Sequence, residues 1–253
     1  IALDRVAERT VARFRPTLER ALSAPLGHPL KLGTYQGLRP WGMAIGPSRI
    51  LPSEVDRSEL SLAGLEVSLA PLASLRRLQP VLQITLHKLR GQLEANEEGR
   101  YWTFGPASGE GDLPRLGLQY KLADPAWLRF GPQRQTLELR SQGSILLGEA
   151  FFSTESSLRW VDSKGSLRLD GQGHWDRPSF RLRSRLDRLN LQPFGTVMAP
   201  AGDLAASGQL QGDIQISWTG GALNCRGGVR LNRLKLASVQ SRRLSIGCKG
   251  DQL

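Results

Sequence analysis

The sequence predicts an all-β chain with one N-terminal amphipathic helix. Its strands build an elongated, curved sheet, a β-taco or open β-solenoid groove with an apolar interior. Three observations predict this class. Residues 208–218 place Leu210, Ile214, Ile216 and Trp218 on one parity and Gln209, Gln211, Asp213, Gln215 and Ser217 on the other, the period-two signature of a strand with one dry and one wet face. Segments of the same design return at short intervals after residue 23, with turn residues between them and no stretch resembling a crossover helix of useful length. The composition fits as well: 40% of the 253 residues are hydrophobic, only 6% aromatic, and 28 are glycine. That content is too apolar for a disordered chain and too lean for a thick core, which suits a thin sheet.

Taken in order, residues 1–23 repeat Leu3, Ala7, Val11, Phe14, Leu18 and Leu22 at helical spacing, with Arg5, Glu8, Arg9, Arg13, Arg15, Glu19 and Arg20 on the remaining surface. Pro16 is expected to kink this helix or start a second one, and residues 23–27 to stop it. Pro29–Leu32 and Gly42–Ile45 read as a hairpin turned through residues 35–40 and extended by Arg49–Leu51, followed by a polar loop over 52–58. Leu60–Leu69 reads as one long strand, Pro71–Arg77 as a helical turn and Leu82–Leu93 as a second long strand. Residues 96–100 form a loop leading to Tyr101–Phe104, and 106–114 is the most loop-like segment. Strands are then expected at 115–122, 126–130, 136–141, 144–149, 156–161, 165–175, 178–186, 206–218, 222–232, 234–238 and 243–249, with a helical turn over Leu189–Met198. The domain reading is a helix over 1–23 and a β region over 24–253, with subdivision near 106–114 and 187–205.

The net charge of +11 favours anionic partners, although alternation such as Arg181, Arg183 and Arg185 against Leu182 and Leu186 is also what a solvated strand face looks like. The aromatics are few and not interleaved with arginine, which argues against a nucleic-acid platform. Cys225 and Cys248 belong to no metal-binding spacing. They are either apolar lining residues or, in an oxidising compartment, a disulfide. No apolar run is long enough to span a bilayer, and the chain is expected to be a piece of a longer protein. His28, His87 and His174 lie far apart in sequence without evident partners, Glu97 and Glu98 read as a solvated loop pair, and no nucleophile, phosphate-loop or metal motif stands in its structural context. The expectation is a protein that is not an enzyme and needs no cofactor or metal.

Residues 18–33 give a helix end and then an apolar–Gly–x–Pro–apolar–x–apolar–Gly strand, residues 35–50 a turn with Trp41–Gly42 and a Gly–Pro–Ser–Arg–Ile strand, and residues 65–75 an alternating strand closed by Pro–Leu–x–x–Leu. Together with the pattern over 208–236, these resemble the TamB family of the AsmA-like superfamily, and Trp41–Gly42 and Tyr101–Trp102 most resemble its cyanobacterial members. The resemblance runs over the whole chain and is strongest over 18–104. It implies a protein anchored in the inner (plasma) membrane by a helix that this sequence does not include, with its β-groove in the periplasm. It implies phospholipid as cargo, moved between inner and outer membranes for outer-membrane biogenesis, and an Omp85-type assembly protein as partner. The alternative it carries is a scaffold for outer-membrane protein assembly or preprotein translocation.

On that reading the groove is lined by Leu65, Val67, Leu69, Leu82, Ile84, Leu86, Leu116, Leu118, Leu167, Leu169, Phe180, Leu182, Leu210, Ile214, Ile216, Trp218, Val229, Leu231, Leu244 and Ile246. Periodicity alone favours a closed sandwich core with no ligand, and it is the resemblance that turns the reading towards an open groove.

Overall fold

A computed structural model describes residues 2–105, 115–130, 135–161, 165–177, 179–192, 206–236 and 239–250. Strand makes up 59% of the chain, and the one long helix is N-terminal. The chain divides into two units, Ile1–Arg129 and Phe130–Leu253. Residues 106–114 and 193–205 lie outside the described residues.

In the first unit α1 (Ala2–Leu26) runs unbroken through Pro16 and Pro25, three residues past the helix bound expected at 23, and ends within the 23–27 stretch expected to stop it. Gly27, at φ 71°, ends it in the left-handed conformation that glycine adopts most readily. The sheet that follows consists of β1 (Leu30–Lys31), β2 (Tyr35–Arg39), β3 (Gly42–Ile45), β4 (Ser48–Ile50), β5 (Glu59–Leu62), β6 (Gly64–Leu69), α2 (Pro71–Arg77), β7 (Val81–His87), β8 (Arg90–Leu93), β9 (Gly117–Leu122) and β10 (Ala126–Phe130).

Register shows that these short strands are halves of longer ones. β5 and β6 pair with β8 and β7 in one unbroken hairpin register, from Glu59↔Gln92 through Ser61↔Arg90 and Gly64↔His87 to Leu69↔Leu82. Both arms break at the same level, at Ala63 and Lys88. On one side β3 gives way to β4 at Gly46–Pro47, and on the other β9 ends before Pro125 and β10. A crease therefore crosses the sheet, marked by two prolines that cannot donate to the ladder and by Lys88 at φ 48°. The two long strands expected at 60–69 and 82–93 are thus each interrupted, since a sheet bends only where the ladder is released. The expected first hairpin is also corrected. Residues 35–39 are strand rather than turn, β2 pairs with β3 around Pro40–Trp41, and β1 pairs with β4. β9 runs parallel to β7.

The second unit is simpler. β11 (Gln135–Leu146), a short 3-10 turn (Leu147–Glu149), β12 (Phe151–Trp160), β13 (Ser166–His174), β14 (Ser179–Asn190), β15 (Ala206–Thr219), β16 (Ala222–Leu236) and β17 (Val239–Gly250) form an antiparallel meander in which each strand pairs with its sequence neighbours. The strands expected separately at 136–141 and 144–149 are one, as are those at 222–232 and 234–238. Gly220 and Gly221, at φ 59° and 87°, make the two-residue turn between β15 and β16. Two positive φ values are what such a loop needs to match the strand twist, and glycine takes them without a Cβ clash.

Candidate functional site

Within each unit the sequence-predicted lining residues of the described strands share one face of the sheet. In an antiparallel ladder, directly opposed residues point the same way. In the first unit Leu65 opposes Leu86 and Ile45, Val67 opposes Ile84 and Met43, and Leu69 opposes Leu82. Across the parallel pair Leu82 faces Leu118, Ile84 faces Tyr120 and Leu86 faces Leu122. Leu116 sits immediately before β9 and shares its parity.

In the second unit four rows cross the sheet on one face. Phe152–Gly173–Phe180–Trp218–Leu223 is the first, Gly171–Leu182–Ile216–Cys225 the second, Leu169–Ser184–Ile214–Gly227–Cys248 the third and Leu158–Leu167–Leu186–Gly212–Val229–Ile246 the fourth. Leu210, Leu231 and Leu244 make a partial fifth. The predicted residues are therefore joined by Leu158, Leu186 and Leu223, which lay within expected strands but were not singled out, and by Phe152, which lies in a part of β12 before the strand expected at 156–161. The face is most apolar over β14–β17. Towards β11 its middle rows turn polar, where Ser141 and Ser156 share a hydrogen bond at 2.8 Å and Gly143 opposes Thr154. None of the twenty predicted lining side chains is fully buried. Most are half-buried, and Phe180, Leu244 and Ile246 are 39%, 40% and 56% exposed.

Cys225 and Cys248 form a disulfide on this face, with Cα atoms 5.5 Å apart. Cys225 opposes Gly250 and Cys248 opposes Gly227, so the bridge runs diagonally between β16 and β17. The opposite face is charged. There Asp213 receives Arg183 at 3.1 Å and Arg185 at 3.5 Å. Hydrogen bonding from Arg183 outweighs the loss of hydration and, with the Arg185 charge, holds the Asp213 carboxyl below its ordinary value. Glu138 accepts from Arg159 and Arg140. Burial pushes its carboxyl up, but those two guanidinium groups outweigh burial and leave it lowered.

One cluster in the first unit corrects the reading of the histidines. His28 is fully buried, with Nδ1 donating to the Leu51 carbonyl at 3.0 Å and Nε2 lying 3.3 Å from Asp56 Oδ2. Trp102 stacks on its ring at 4.1 Å and donates from Nε1 to the Leu26 carbonyl. His87 likewise stands 3.8 Å from Glu66 and 4.0 Å from Asp124. The 28 positions separating His28 from Asp56 hid the pairing.

Asp56 also accepts the amides of Ser58 and Thr103. Burial raises its carboxyl and these bonds, with the His28 charge, more than reverse that, so it stays below the ordinary aspartate range. A histidine, an aspartate and a serine thus meet, but not as a catalytic relay. The Ser58 hydroxyl donates to the Tyr101 carbonyl at 2.6 Å rather than facing the imidazole, and His28 and Asp56 side chains are both sealed from solvent. The cluster ties the end of α1, β4 and the 101–104 segment together. The surface with chemistry to offer is therefore the half-exposed apolar face of the strands. No family model matches the chain, and no curated protein or solved structure matches it either.

Proposed function

We infer that these apolar faces carry phospholipid acyl chains, and that the chain is part of a periplasmic lipid conduit running between inner and outer membranes. The observation that carries this reading is the set of rows over β14–β17. Phe180–Trp218–Leu223, Leu182–Ile216–Cys225 and Leu210–Leu231–Leu244 set apolar side chains against one another on successive strands, and each still keeps part of its surface open. A closed core would draw the same residues to near-complete burial. An acyl chain laid along such rows removes apolar surface from water at about 0.8 kcal/mol per methylene, so a 16-carbon tail gains on the order of 12 kcal/mol. The charged opposite face keeps the sheet soluble, and the Cys225–Cys248 bridge supports an oxidising compartment.

The test is lipid mass spectrometry of the purified chain after extraction from bacterial membranes, with Ile216→Asp as the comparison. The expected outcome is co-purifying phospholipid in the parent chain and a loss of most of it in the variant, with circular dichroism unchanged. A folded variant that retains its lipid, or a parent chain that carries none, defeats the reading.

A further inference from the structure

The β16–β17 hairpin differs in charge from the two strands before it. On β14 and β15 cations meet acids: Arg183 and Arg185 share Asp213, and Arg188 lies 3.5 Å from Asp187. From residue 222 to residue 250 the sequence has no Asp or Glu. Arg226, Arg230, Arg233, Lys235, Arg242 and Arg243 are all exposed there, and none of them makes an ion pair among the described residues.

Two of these arginines stand where the apolar rows end. Alternate positions of a strand share a face, so Arg233 follows Val229 and Leu231 along β16, and Arg242 follows Ile246 and Leu244 along β17. The register passes from Asn232↔Arg243 to Leu234↔Ser241, which sets Arg233 against Arg242. Towards β15 the register shifts: Gln209 opposes Asn232 and Ser207 opposes Lys235, so β15 answers this level with Gly208 alone, which has no side chain to crowd a guanidinium. Arg233 itself holds a φ of 54°, an uncommon conformation for a residue with a Cβ. Bulges of this kind are places where a strand re-aims a side chain.

Like charges set opposite each other destabilise a sheet, and neither strand offers an acid to relieve this pair. An anion between the two guanidinium groups removes the repulsion, and the planar fork of arginine matches the oxygens of a phosphate. The apolar levels leading to the pair, from Leu223 to Leu231, cover about 26 Å of strand at ~3.3 Å per residue. That exceeds the roughly 15 Å given to one layer of tails in a bilayer whose hydrocarbon core is ~30 Å. A tail lying against those levels has room to place its head at the arginines.

We propose that Arg233 and Arg242 bind the phosphate of an anionic phospholipid whose tails lie on the adjoining apolar rows. Charge complementarity selects a head group of net negative charge, such as phosphatidylglycerol. The ammonium of phosphatidylethanolamine meets cations on both strands and no carboxylate. The proposal rests on the conduit reading and adds to it which lipids are held.

The experiment is fluorescence titration of the delipidated 253-residue chain with phosphatidylglycerol and with phosphatidylethanolamine carrying the same labelled tail. The parent chain is expected to bind phosphatidylglycerol roughly tenfold more tightly. Arg233→Gln with Arg242→Gln is expected to abolish most of that preference while leaving phosphatidylethanolamine binding and circular dichroism unchanged, and Arg242→Gln alone to move it the same way. Arg168→Gln with Arg181→Gln, which removes equal charge from the opposite face, is expected to keep the preference. Equal binding of the two lipids by the parent, a preference that survives in the Arg233/Arg242 variant, or an equal loss in the opposite-face variant overturns the proposal and leaves the conduit reading standing. A parent chain that binds neither lipid defeats both. Displacement of phosphatidylglycerol by an equal concentration of single-stranded oligonucleotide assigns the arginines to nucleic acid and likewise overturns it.

Discussion

The two units read alike in sequence and are built differently. The first unit pairs strands distant in the chain, including the parallel β7–β9 pair, folds across a crease and is pinned by a buried polar cluster around His28 and Asp56. Within the second, β11–β17 pair with one another in sequence order, and among its described residues full burial is confined to a few side chains towards the ends of the ladder, such as Leu137, Leu146, Trp160 and Leu189. Stability in the first unit is thus concentrated in a knot, and in the second it is spread along a ladder. Contacts of high sequence separation make the first the slower to form, and neighbour-only contacts make the second approach a sum of local terms.

The sharpest test of that contrast removes the knot. Asp56→Ala leaves the amides of Ser58 and Thr103 and the His28 ring without their buried partner, which is expected to cost about 3–5 kcal/mol. Hydrogen exchange should then show protection lost over 28–58 and 94–105 but kept in the strands β12–β16. Uniform loss across both units would erase the distinction.

The next effect belongs to the second unit. Replacing Cys225 and Cys248 together by serine releases a sequence separation of 23 residues, and the chain-entropy model puts the loss at about 3 kcal/mol. Urea titration should locate it in β15–β17, with the first unit's transition unmoved.

Acid provides a smaller probe. Glu138 is held below its ordinary value in the folded state, so its contribution is present above about pH 4.3, its unfolded value, and disappears as pH falls through the lower folded one. Because Arg159 is 58% exposed, the contribution is screened, and Glu138→Gln is expected to cost only about 1 kcal/mol near neutrality while flattening that part of the acid titration. The smallest change is Asp213→Asn on the open charged face. Its effect on the urea midpoint should correspond to no more than about 0.5 kcal/mol, and a larger one would mean that this face carries the ladder's stability.

Much of the second unit was legible in advance, because alternation fixes which face each side chain takes once strands pair in sequence order. That Leu182 and Ile216 share a face follows from that rule, and their direct opposition comes from the register. The crease was not legible. Pro47, Ala63, Lys88 and Pro125 look individually like ordinary loop residues, and only the register reveals that their breaks lie at one level. The His28–Asp56 contact needed the same long-range information. Periodicity gave α1 its apolar stripe yet could not say which side would be covered. That was decided by the amides of Leu30 and Leu32, which needed acceptors that only Glu19 and Ser23 were placed to offer. The disulfide lay between these cases, since shared parity permitted it and the pairing of Cys248 with Gly227 brought it within reach.

The neighbour-only order of β11–β17 also turns length into a free variable. Adding or deleting a hairpin there would change how far the second unit reaches without asking any distant residue to accommodate it, much as rungs are added to a rope ladder. Selection could set the span by duplication alone, whereas the creased unit, whose strands answer to partners far along the chain, would have to keep its size.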